Sequence, residues 1–218
     1  MKNYIKWVMN GEFTPTGELF DIGRTCLKAI RKYDEGKTSA IECGSTSIES
    51  NGNGSLMRIL PVALYSYYKN LDESSIIKLT NEMSSLTHGH DISKLGCYIY
   101  VRYIMFLIDG FTKEENYFKL NETVNSLAES KKKIIIKSLD TAKASIQCFL
   151  ESYDYEDAIR NAISIGGDSD TIAAITGGMA ASYYGIPNDI YTTGLLYLDD
   201  YLRNIYDEYL KQTNLKWE

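Results

Sequence analysis

The chain has few residues of the kinds that mark disulfide-rich, zinc-binding or secreted proteins. Its 218 residues include only 3 prolines, 2 histidines and 4 cysteines. The cysteines are scattered and form no Cys-x-x-Cys pair, which argues against a disulfide framework or a zinc site and predicts buried free thiols in a reducing compartment. The first residues also lack the continuous apolar run of a signal peptide. We therefore expect a cytoplasmic protein.

Long apolar runs and basic patches are missing as well. No segment approaches the roughly 18 apolar residues that a membrane helix needs, and the best candidate, residues 97–108, contains Arg102. A net charge of −6 gives little support to nucleic-acid binding. The lysine run at 131–133 precedes three isoleucines, so it predicts the solvated start of an amphipathic helix rather than a phosphate-binding patch.

Along most of the chain, apolar residues recur at helical spacing. Alternating strand patterns flanked by turn pairs are absent, and residues 36–54, rich in Gly, Ser, Thr and Asn, predict a loop. A first helix would open at Thr16 and run to Ile30, with Gly23 marking close packing inside it. The other predicted helices cover residues 56–68, 74–86, 92–108, 139–149, 154–163, 168–184 and 195–209. Without repeats or linkers, residues 1–218 are predicted to form a single all-α domain.

The helix predicted over residues 168–184 is unusually rich in small residues. Alanine and glycine occupy many of its positions, namely Ala173, Ala174, Gly177, Gly178, Ala180 and Ala181. Small side chains let neighbouring helices approach from several sides. This composition therefore predicts a helix at the centre of a bundle.

A Gly-Gly-Asp-Ser-Asp-Thr segment at residues 166–171 leads into that helix and places two carboxylates and two hydroxyls within four residues. Two carboxylates and neighbouring hydroxyls suit a hard cation such as Mg²⁺, which prefers oxygen ligands. The two glycines allow a tight backbone turn before them. The alternative is that Asp168 or Ser169 simply caps the helix, although a cap needs only one such side chain. The residues alone leave both interpretations open.

Two further segments combine polar side chains with glycine. Residues 51–58, Asn-Gly-Asn-Gly-Ser-Leu-Met-Arg, form a donor-rich loop that leads into a predicted helix, where backbone N–H groups can bind phosphate. Both histidines of the chain lie on either side of Gly89, at His88 and His90. A plain loop with a cap and a surface histidine pair are the alternatives. Together with the Asp segment, these features suggest a nucleotide diphosphate derivative as ligand.

These segments, in this order, resemble the ADP-ribosylglycohydrolase family. Residues 51–61 look like its Gly-Asn-Gly-x-x-Met-Arg-x-x-Pro segment, Thr87-His88 looks like its Thr-His pair, and residues 165–174 look like its Gly-Gly-Asp-x-Asp-Thr-Ile-Ala signature. Residues 20–23 resemble a further family segment. The similarity runs from about Trp7 to about Tyr209.

The resemblance implies a compact orthogonal helical bundle with a binuclear Mg²⁺ centre, occupied by Mn²⁺ in some members. The family cleaves the bond between the anomeric carbon of ADP-ribose and a modified side chain. Asp168 and Asp170 would be catalytic and, with Thr171, would supply the C-terminal half of the metal site. Met57 and Arg58 would pack and hold the loop. The substrate-binding residues would be Gly52, Asn53, Gly54 and Ser55, with His88 near the nucleotide end.

One departure from the family qualifies this expectation. The family's N-terminal segment, which carries a Thr-Asp-Asp triplet with further metal ligands, has no counterpart here, and Leu198-Asp199-Asp200 lies on an apparent surface helix after the signature. A truncated chain, a separate chain that supplies the missing helices, and a degenerate homologue remain open. The expected function is therefore Mg²⁺-dependent removal of ADP-ribose from a modified protein or small molecule. A non-catalytic ADP-ribose-binding or protein-interaction relic is the alternative.

Overall fold

The computed structural model describes residues 1–125, apart from positions 15 and 37, and residues 140–213. Within these ranges the chain is helical and forms no strand, which confirms the predicted all-α class. The α-helices in chain order are α1 Lys2–Asn10, α2 Arg24–Asp34, α3 Leu60–Tyr68, α4 Glu73–Ser85, α5 Asp91–Ile108, α6 Lys113–Asn125, α7 Asp140–Leu150, α8 Tyr155–Ser164, α9 Ser169–Tyr184, α10 Asn188–Leu196 and α11 Asp200–Thr213.

Helix α5 is the longest described helix and provides much of the core. Its start is fixed by His90, whose Nδ1 accepts a hydrogen bond from the backbone N–H of Ile92 at 3.2 Å. Apolar side chains recur along the helix at core-facing intervals, and Cys97, Val101 and Ile104 are fully buried. Helices α3, α4, α6 and α9 pack around it. This packing brings the ends of α4 and α5 next to the predicted glycine loop.

Helix α9 lies among α5, α7 and α8, as its small residues predict. Gly178 shows why size matters, because a Cβ atom there would lie 2.3 Å from the Tyr100 hydroxyl oxygen. That hydroxyl donates a hydrogen bond to the carbonyl oxygen of Ile175 at 3.0 Å. Any larger residue at 178 would displace this contact. The central position of α9 is therefore confirmed.

The predicted first helix is wrong in its start. Helix α2 begins at Arg24 instead of Thr16, and residues 18–23 form no regular structure. Gly23 occupies the N-cap position with extended φ and ψ angles, and no heavy atom lies within 4 Å of its ideal Cβ position. It therefore ends an irregular segment and does not mark close packing. The apolar residues expected on the core-facing side of this first part, Leu19 and Ile22, are only half-buried, whereas Ile30 within α2 is buried.

The predicted helix over residues 195–209 is also corrected. Helix α10 ends at Leu196 and α11 begins at Asp200, and the Asp199 carboxylate accepts a hydrogen bond from the backbone N–H of Leu202 at 2.7 Å. Because Asp and Asn side chains compete for backbone donors, such a residue favours a helix start. The Leu198-Asp199-Asp200 segment thus lies at a helix break.

Other predictions have mixed outcomes. The described cysteines are free, and three of them are buried while Cys26 is half-buried, as expected. Helices α1 and α6 were not predicted. The lysine run at 131–133 lies outside the described residues. In the described ranges, no helix combines the length and the apolar character that crossing a membrane requires.

Candidate functional site

The Asp segment turns sharply into α9. Gly166 and Gly167 have φ angles of +74° and +63°, a left-handed conformation that favours glycine. Asp168 holds the N-cap position, but its side chain makes no capping hydrogen bond. Its carboxylate instead accepts a hydrogen bond from Asn53 Nδ2 at 2.5 Å. The interpretation of Asp168 as a simple cap is therefore wrong, and the bond joins two motifs that lie 115 residues apart in the chain.

The other two predicted metal ligands follow in the first turn of α9. Asp170 is exposed, and no hydrogen bond or ion pair holds it within the described residues. Thr171 is buried, and its hydroxyl lies 3.8 Å from Met57 Sδ. Met57 is 46% exposed, so it borders the site more than it fills the core.

The oxygen atoms of these residues are of the type that a hard cation prefers, but they are too few for a two-metal centre. Two carboxylates and one hydroxyl supply the oxygen chemistry that Mg²⁺ prefers. Among the residues that the structure describes, no group of three or more His, Cys, Asp or Glu side chains is arranged to hold a metal ion. A two-metal centre needs carboxylates on both ions. The described donors therefore fall short of such a centre.

The glycine loop is held at both ends by polar contacts. Asn51 Oδ1 accepts a hydrogen bond from Ser93 Oγ at 2.8 Å, and its Nδ2 donates to the Ile48 carbonyl oxygen at 2.9 Å. Asn51 Nδ2 also lies 3.2 Å from His90 Nδ1. Further along, Asn53 Nδ2 lies 3.4 Å from Thr141 Oγ1, at the start of α7. Thr141 lies outside every motif identified in the sequence, and Asn51 was included only as the first residue of the 51–58 segment, without a role of its own.

The end of the loop differs from the predicted helix start. A single 3₁₀ turn at Leu56–Arg58 follows the loop, and α3 begins only at Leu60. Pro61, in the first turn of α3, is tolerated because its missing N–H would have had no partner there. The N-terminus of the α-helix is therefore displaced from the glycine loop, so the phosphate-binding N–H groups predicted at a helix start directly after the loop are not placed there.

Arg58 ties the loop to the end of α4. Its guanidinium donates hydrogen bonds to the Gly54 carbonyl oxygen, to the Met83 carbonyl oxygen at 3.1 Å and to Thr87 Oγ1 at 2.8 Å. It also lies over the Tyr4 ring of α1, 5.6 Å from the centroid. Charge-assisted hydrogen bonds of this kind are stronger than neutral ones. The predicted loop-holding role of Arg58 is confirmed.

His88 packs directly beneath the loop. Its side chain is 2% exposed, and its Nδ1 lies 2.8 Å from Thr87 Oγ1. The opposite edge of the ring faces the loop, since a Cβ atom on Gly54 would lie 3.0 Å from His88 Cε1 and one on Gly52 would lie 3.5 Å from Nε2. Burial, helped by the charge of Arg58, lowers the pKa of His88 from 6.5 to about 4. The ring is therefore neutral near pH 7.

Ser55, also predicted to bind substrate, has its side chain turned into the core. It is 1% exposed, and its Oγ lies 3.2 Å from Ser84 Oγ and 3.4 Å from Cys97 Sγ. Its hydroxyl is thus used inside the protein, which leaves its backbone as the part that can meet a ligand. The substrate-binding roles of residues 52–55 and 88 stay predictions.

A backbone bridge fixes the earlier part of the loop against the Thr87-His88 pair. Ser45 pairs with His88 in a parallel bridge, in which the Ser45 N–H donates to the Thr87 carbonyl oxygen at 3.2 Å and the Gly89 N–H donates to the Ser45 carbonyl oxygen at 2.9 Å. A Cβ atom on Gly44 would lie 2.3 Å from the Ser85 carbonyl oxygen. Glycine at 44 therefore permits this close approach of two backbone segments.

Comparisons with known proteins identify the family of this chain. A sequence model described as ADP-ribosylglycohydrolase matches residues 1–216. The chain is 28% identical over 196 residues to the ADP-ribosylarginine hydrolase Tri1 of Serratia proteamaculans, covering 84% of this chain and 52% of that protein. It is 28% identical over 185 residues to the ADP-ribosyl-[dinitrogen reductase] glycohydrolase of Rhodospirillum rubrum, covering 82% and 60%. The chain thus spans little more than half the length of these curated relatives.

A solved structure supports the fold independently. A chain of an ADP-ribosylglycohydrolase-related protein complex superimposes with a TM-score of 0.69 at 21% sequence identity, covering 88% of this chain and 69% of the other. At that identity the likeness concerns the fold. The family match, by contrast, extends over both motifs that the Asn53–Asp168 bond joins. This chain belongs to the ADP-ribosylglycohydrolase family.

Proposed function

We propose that this chain forms the ligand-binding and C-terminal metal-binding part of a Mg²⁺-dependent hydrolase that removes ADP-ribose from a modified side chain or small molecule. The hydrogen bond between Asn53 and Asp168 is the observation that carries this proposal. It places the glycine loop, which suits a nucleotide, beside two exposed carboxylates, which suit a cation. A cation and a sugar bound there would be neighbours.

The residues on the two sides of this hydrogen bond have different proposed roles, ligand binding on one side and cation binding on the other. On one side, the backbone of Gly52, Asn53 and Gly54 offers donors and acceptors to a ribose or phosphate group. On the other side, Asp168, Asp170 and Thr171 would hold a divalent cation together with ligands from outside the described donors. When bound, such a cation supplies Lewis-acid polarisation of an oxygen at the reacting carbon. Asn53 orients the Asp168 carboxylate through its amide donor.

The substrate is proposed from the relatives. One relative is named for ADP-ribosylarginine and another for ADP-ribosylated dinitrogen reductase. An arginine linkage is therefore the first to test, ahead of serine, nucleobase or small-molecule linkages. The reaction would replace the bond between the anomeric carbon and the guanidinium nitrogen by a bond to a water oxygen, which leaves free ADP-ribose and an unmodified arginine.

The test incubates the purified chain with an arginine-ADP-ribosylated peptide and follows the loss of ADP-ribose by mass spectrometry, with Mg²⁺ or with EDTA. We expect Mg²⁺-dependent release that is abolished in Asp168→Asn and Asp170→Asn. Asp189→Asn, at an exposed carboxylate in the first turn of α10, is the matched control and should keep full activity. Release that persists in EDTA would contradict the metal requirement.

Binding measured in parallel separates the two functions considered for the chain. Calorimetric titration of ADP-ribose, with Mg²⁺ and with EDTA, reports whether the site binds the product. Binding without any release from the peptide would support the non-catalytic relic instead. Neither binding nor release would reject both functions for this chain acting alone.

A further inference from the structure

The Thr87 hydroxyl links a charged donor to the ring of His88. Arginine can only donate hydrogen bonds, so Thr87 Oγ1 must accept the bond from Arg58 Nη2 at 2.8 Å. Thr87 is 1% exposed, and the other partner of its hydroxyl is His88 Nδ1 at 2.8 Å. A buried hydroxyl proton needs an acceptor. The Thr87 proton therefore points to Nδ1.

This direction determines which ring nitrogen of His88 carries the proton. If Nδ1 accepts from Thr87, the neutral ring must be protonated at Nε2. In the opposite tautomer, Nδ1–H would donate to Thr87 Oγ1 and the buried Thr87 proton would have no acceptor among the described partners. Leaving a buried donor unpaired is unfavourable. The network thus selects one tautomer.

The protonated edge of the ring faces the glycine loop. His88 Nε2 lies 3.5 Å from the ideal Cβ positions of both Gly52 and Gly54. Within the described part of the chain, no protein group forms a hydrogen bond with Nε2, and this nitrogen is not fully enclosed even though His88 as a whole is only 2% exposed. A fixed and unpaired donor is therefore directed at the segment where the proposed ligand lies.

We propose that Arg58 and Thr87 are positioning residues that hold His88 as the neutral Nε2–H tautomer, so that Nε2–H donates to a phosphate oxygen of the ligand at the glycine loop. The tautomer follows from the contacts in the free protein, whereas the phosphate contact rests on the proposed function. A phosphate fits better than a cationic group because the half-buried guanidinium of Arg58 contributes positive charge on this side. The exposed carboxylates lie on the other side, beyond Asn53.

The tautomer can be read directly by long-range ¹H–¹⁵N correlation of imidazole resonances in the free protein at pH 7. With two histidines in the chain, a His90→Gln variant assigns the spectrum. We expect His88 to show a protonated Nε2 and an unprotonated Nδ1. Thr87→Val should lose this pattern and show the Nδ1–H form or a mixture, while Thr87→Ser, which keeps the hydroxyl, should restore it. A wild-type ring protonated at Nδ1 would overturn the proposal.

The ligand contact is tested by calorimetry with ADP-ribose. Thr87→Val should weaken binding about tenfold, the effect expected for one hydrogen bond to a charged group, and Thr87→Ser should recover most of it. Thr80→Val is the matched control, because Thr80 is fully buried in α4, the helix that ends just before Thr87, and its hydroxyl has no partner among the described residues. It should change neither the tautomer nor the affinity.

The experiments can reject the His88 tautomer and the phosphate contact independently of each other. If His88 shows the Nε2–H form but Thr87→Val binds ADP-ribose as tightly as the wild type, the phosphate contact is wrong and the tautomer stands. If the wild-type protein does not bind ADP-ribose at all, the proposed function of the site fails while the NMR result still decides the tautomer. Equal affinity losses in Thr87→Val and Thr80→Val would show a general packing effect and reject the positioning role.

Discussion

The two halves of the candidate site are built very differently. On the loop side, His88 and Ser55 are buried and Arg58 makes three hydrogen bonds to its surroundings. On the carboxylate side, Asp168 and Asp170 are exposed, and within the described residues their one side-chain hydrogen bond is that from Asn53 to Asp168. The loop half is therefore held by the protein itself, whereas the carboxylate half is free to serve an ion or a ligand.

This difference separates stability from function within a single site. Substitutions on the loop side should change the free energy of unfolding, because they remove buried hydrogen bonds or packing. Substitutions on the carboxylate side should leave folding almost unchanged and affect binding and turnover. Each of the following predictions tests one side of this comparison.

The largest effect is expected from Arg58→Ala. The change leaves the Gly54 and Met83 carbonyl oxygens and the Thr87 hydroxyl without their donor, so the free energy of unfolding should fall by about 3 kcal/mol. Urea denaturation followed by circular dichroism measures it. Arg160→Ala is the control, because its ion pair with Glu156 is exposed and should contribute almost nothing. Similar losses in both variants would contradict the comparison.

A smaller effect is expected from Gly54→Ala. The added methyl group would lie 3.0 Å from His88 Cε1 and 3.1 Å from Cys26 Sγ, so the loop or the ring must shift. Such overpacking typically destabilises a protein by about 1–3 kcal/mol. Gly52→Ala places its methyl group 3.5 Å from His88 Nε2, an ordinary contact, and should be nearly neutral. Thermal unfolding of the pair tests whether His88 is as tightly enclosed as described.

The pH dependence of stability reports on His88. Its folded pKa of about 4 lies below the ordinary value of 6.5, so the unfolded chain takes up a proton in this interval that the folded ring does not. The contribution of His88 to the free energy of unfolding is complete above pH 6.5 and is lost as the pH falls toward 4. The free energy of unfolding should change by at most about 1.4 kcal/mol per pH unit in this interval. His88→Gln should flatten the profile between pH 6.5 and 4.5. An identical slope in the variant would show that His88 is not held neutral.

The smallest effect is expected from Asp168→Asn. Its carboxylate is exposed and makes no capping bond, so the free energy of unfolding should change by less than about 0.5 kcal/mol while peptide turnover is lost. Differential scanning calorimetry beside the mass-spectrometric assay gives both quantities. A loss of stability typical of a removed helix cap, about 1 kcal/mol or more, would restore the capping interpretation.

The elements that carry the site could largely be predicted from the sequence, because periodic apolar residues identify α4, α5, α8 and α9 to within one or two residues. The predicted helix start at Thr16 was wrong, since a hydroxyl followed by apolar residues at helical spacing looks like a helix start when local sequence alone is considered. The helix begins only after Gly23. Whether such a segment folds as a helix depends on whether its apolar face packs against a core, and Leu19 and Ile22 are only half-buried. Sequence spacing does not contain that information.

The site was predictable in its residue types but not in its contacts. The residues that form the Asp168–Asn53 bond were both selected, yet their pairing depends on how α9 packs. Likewise, Thr87-His88 was chosen as a pair, but the burial of the ring and the direction of the Thr87 proton follow from Arg58, 29 residues away in the chain. Such couplings arise from tertiary structure.

The bridge between Ser45 and His88 has a consequence for ligand binding. It anchors the long irregular segment before α3 near its middle, where the Gly44 and Gly89 backbones approach too closely for a Cβ atom on either residue. The free stretch before the glycine loop is therefore short, and its conformational entropy is already reduced before any ligand arrives. A ligand that binds to residues 52–54 meets a preorganised surface, which favours affinity because little backbone freedom remains to be lost.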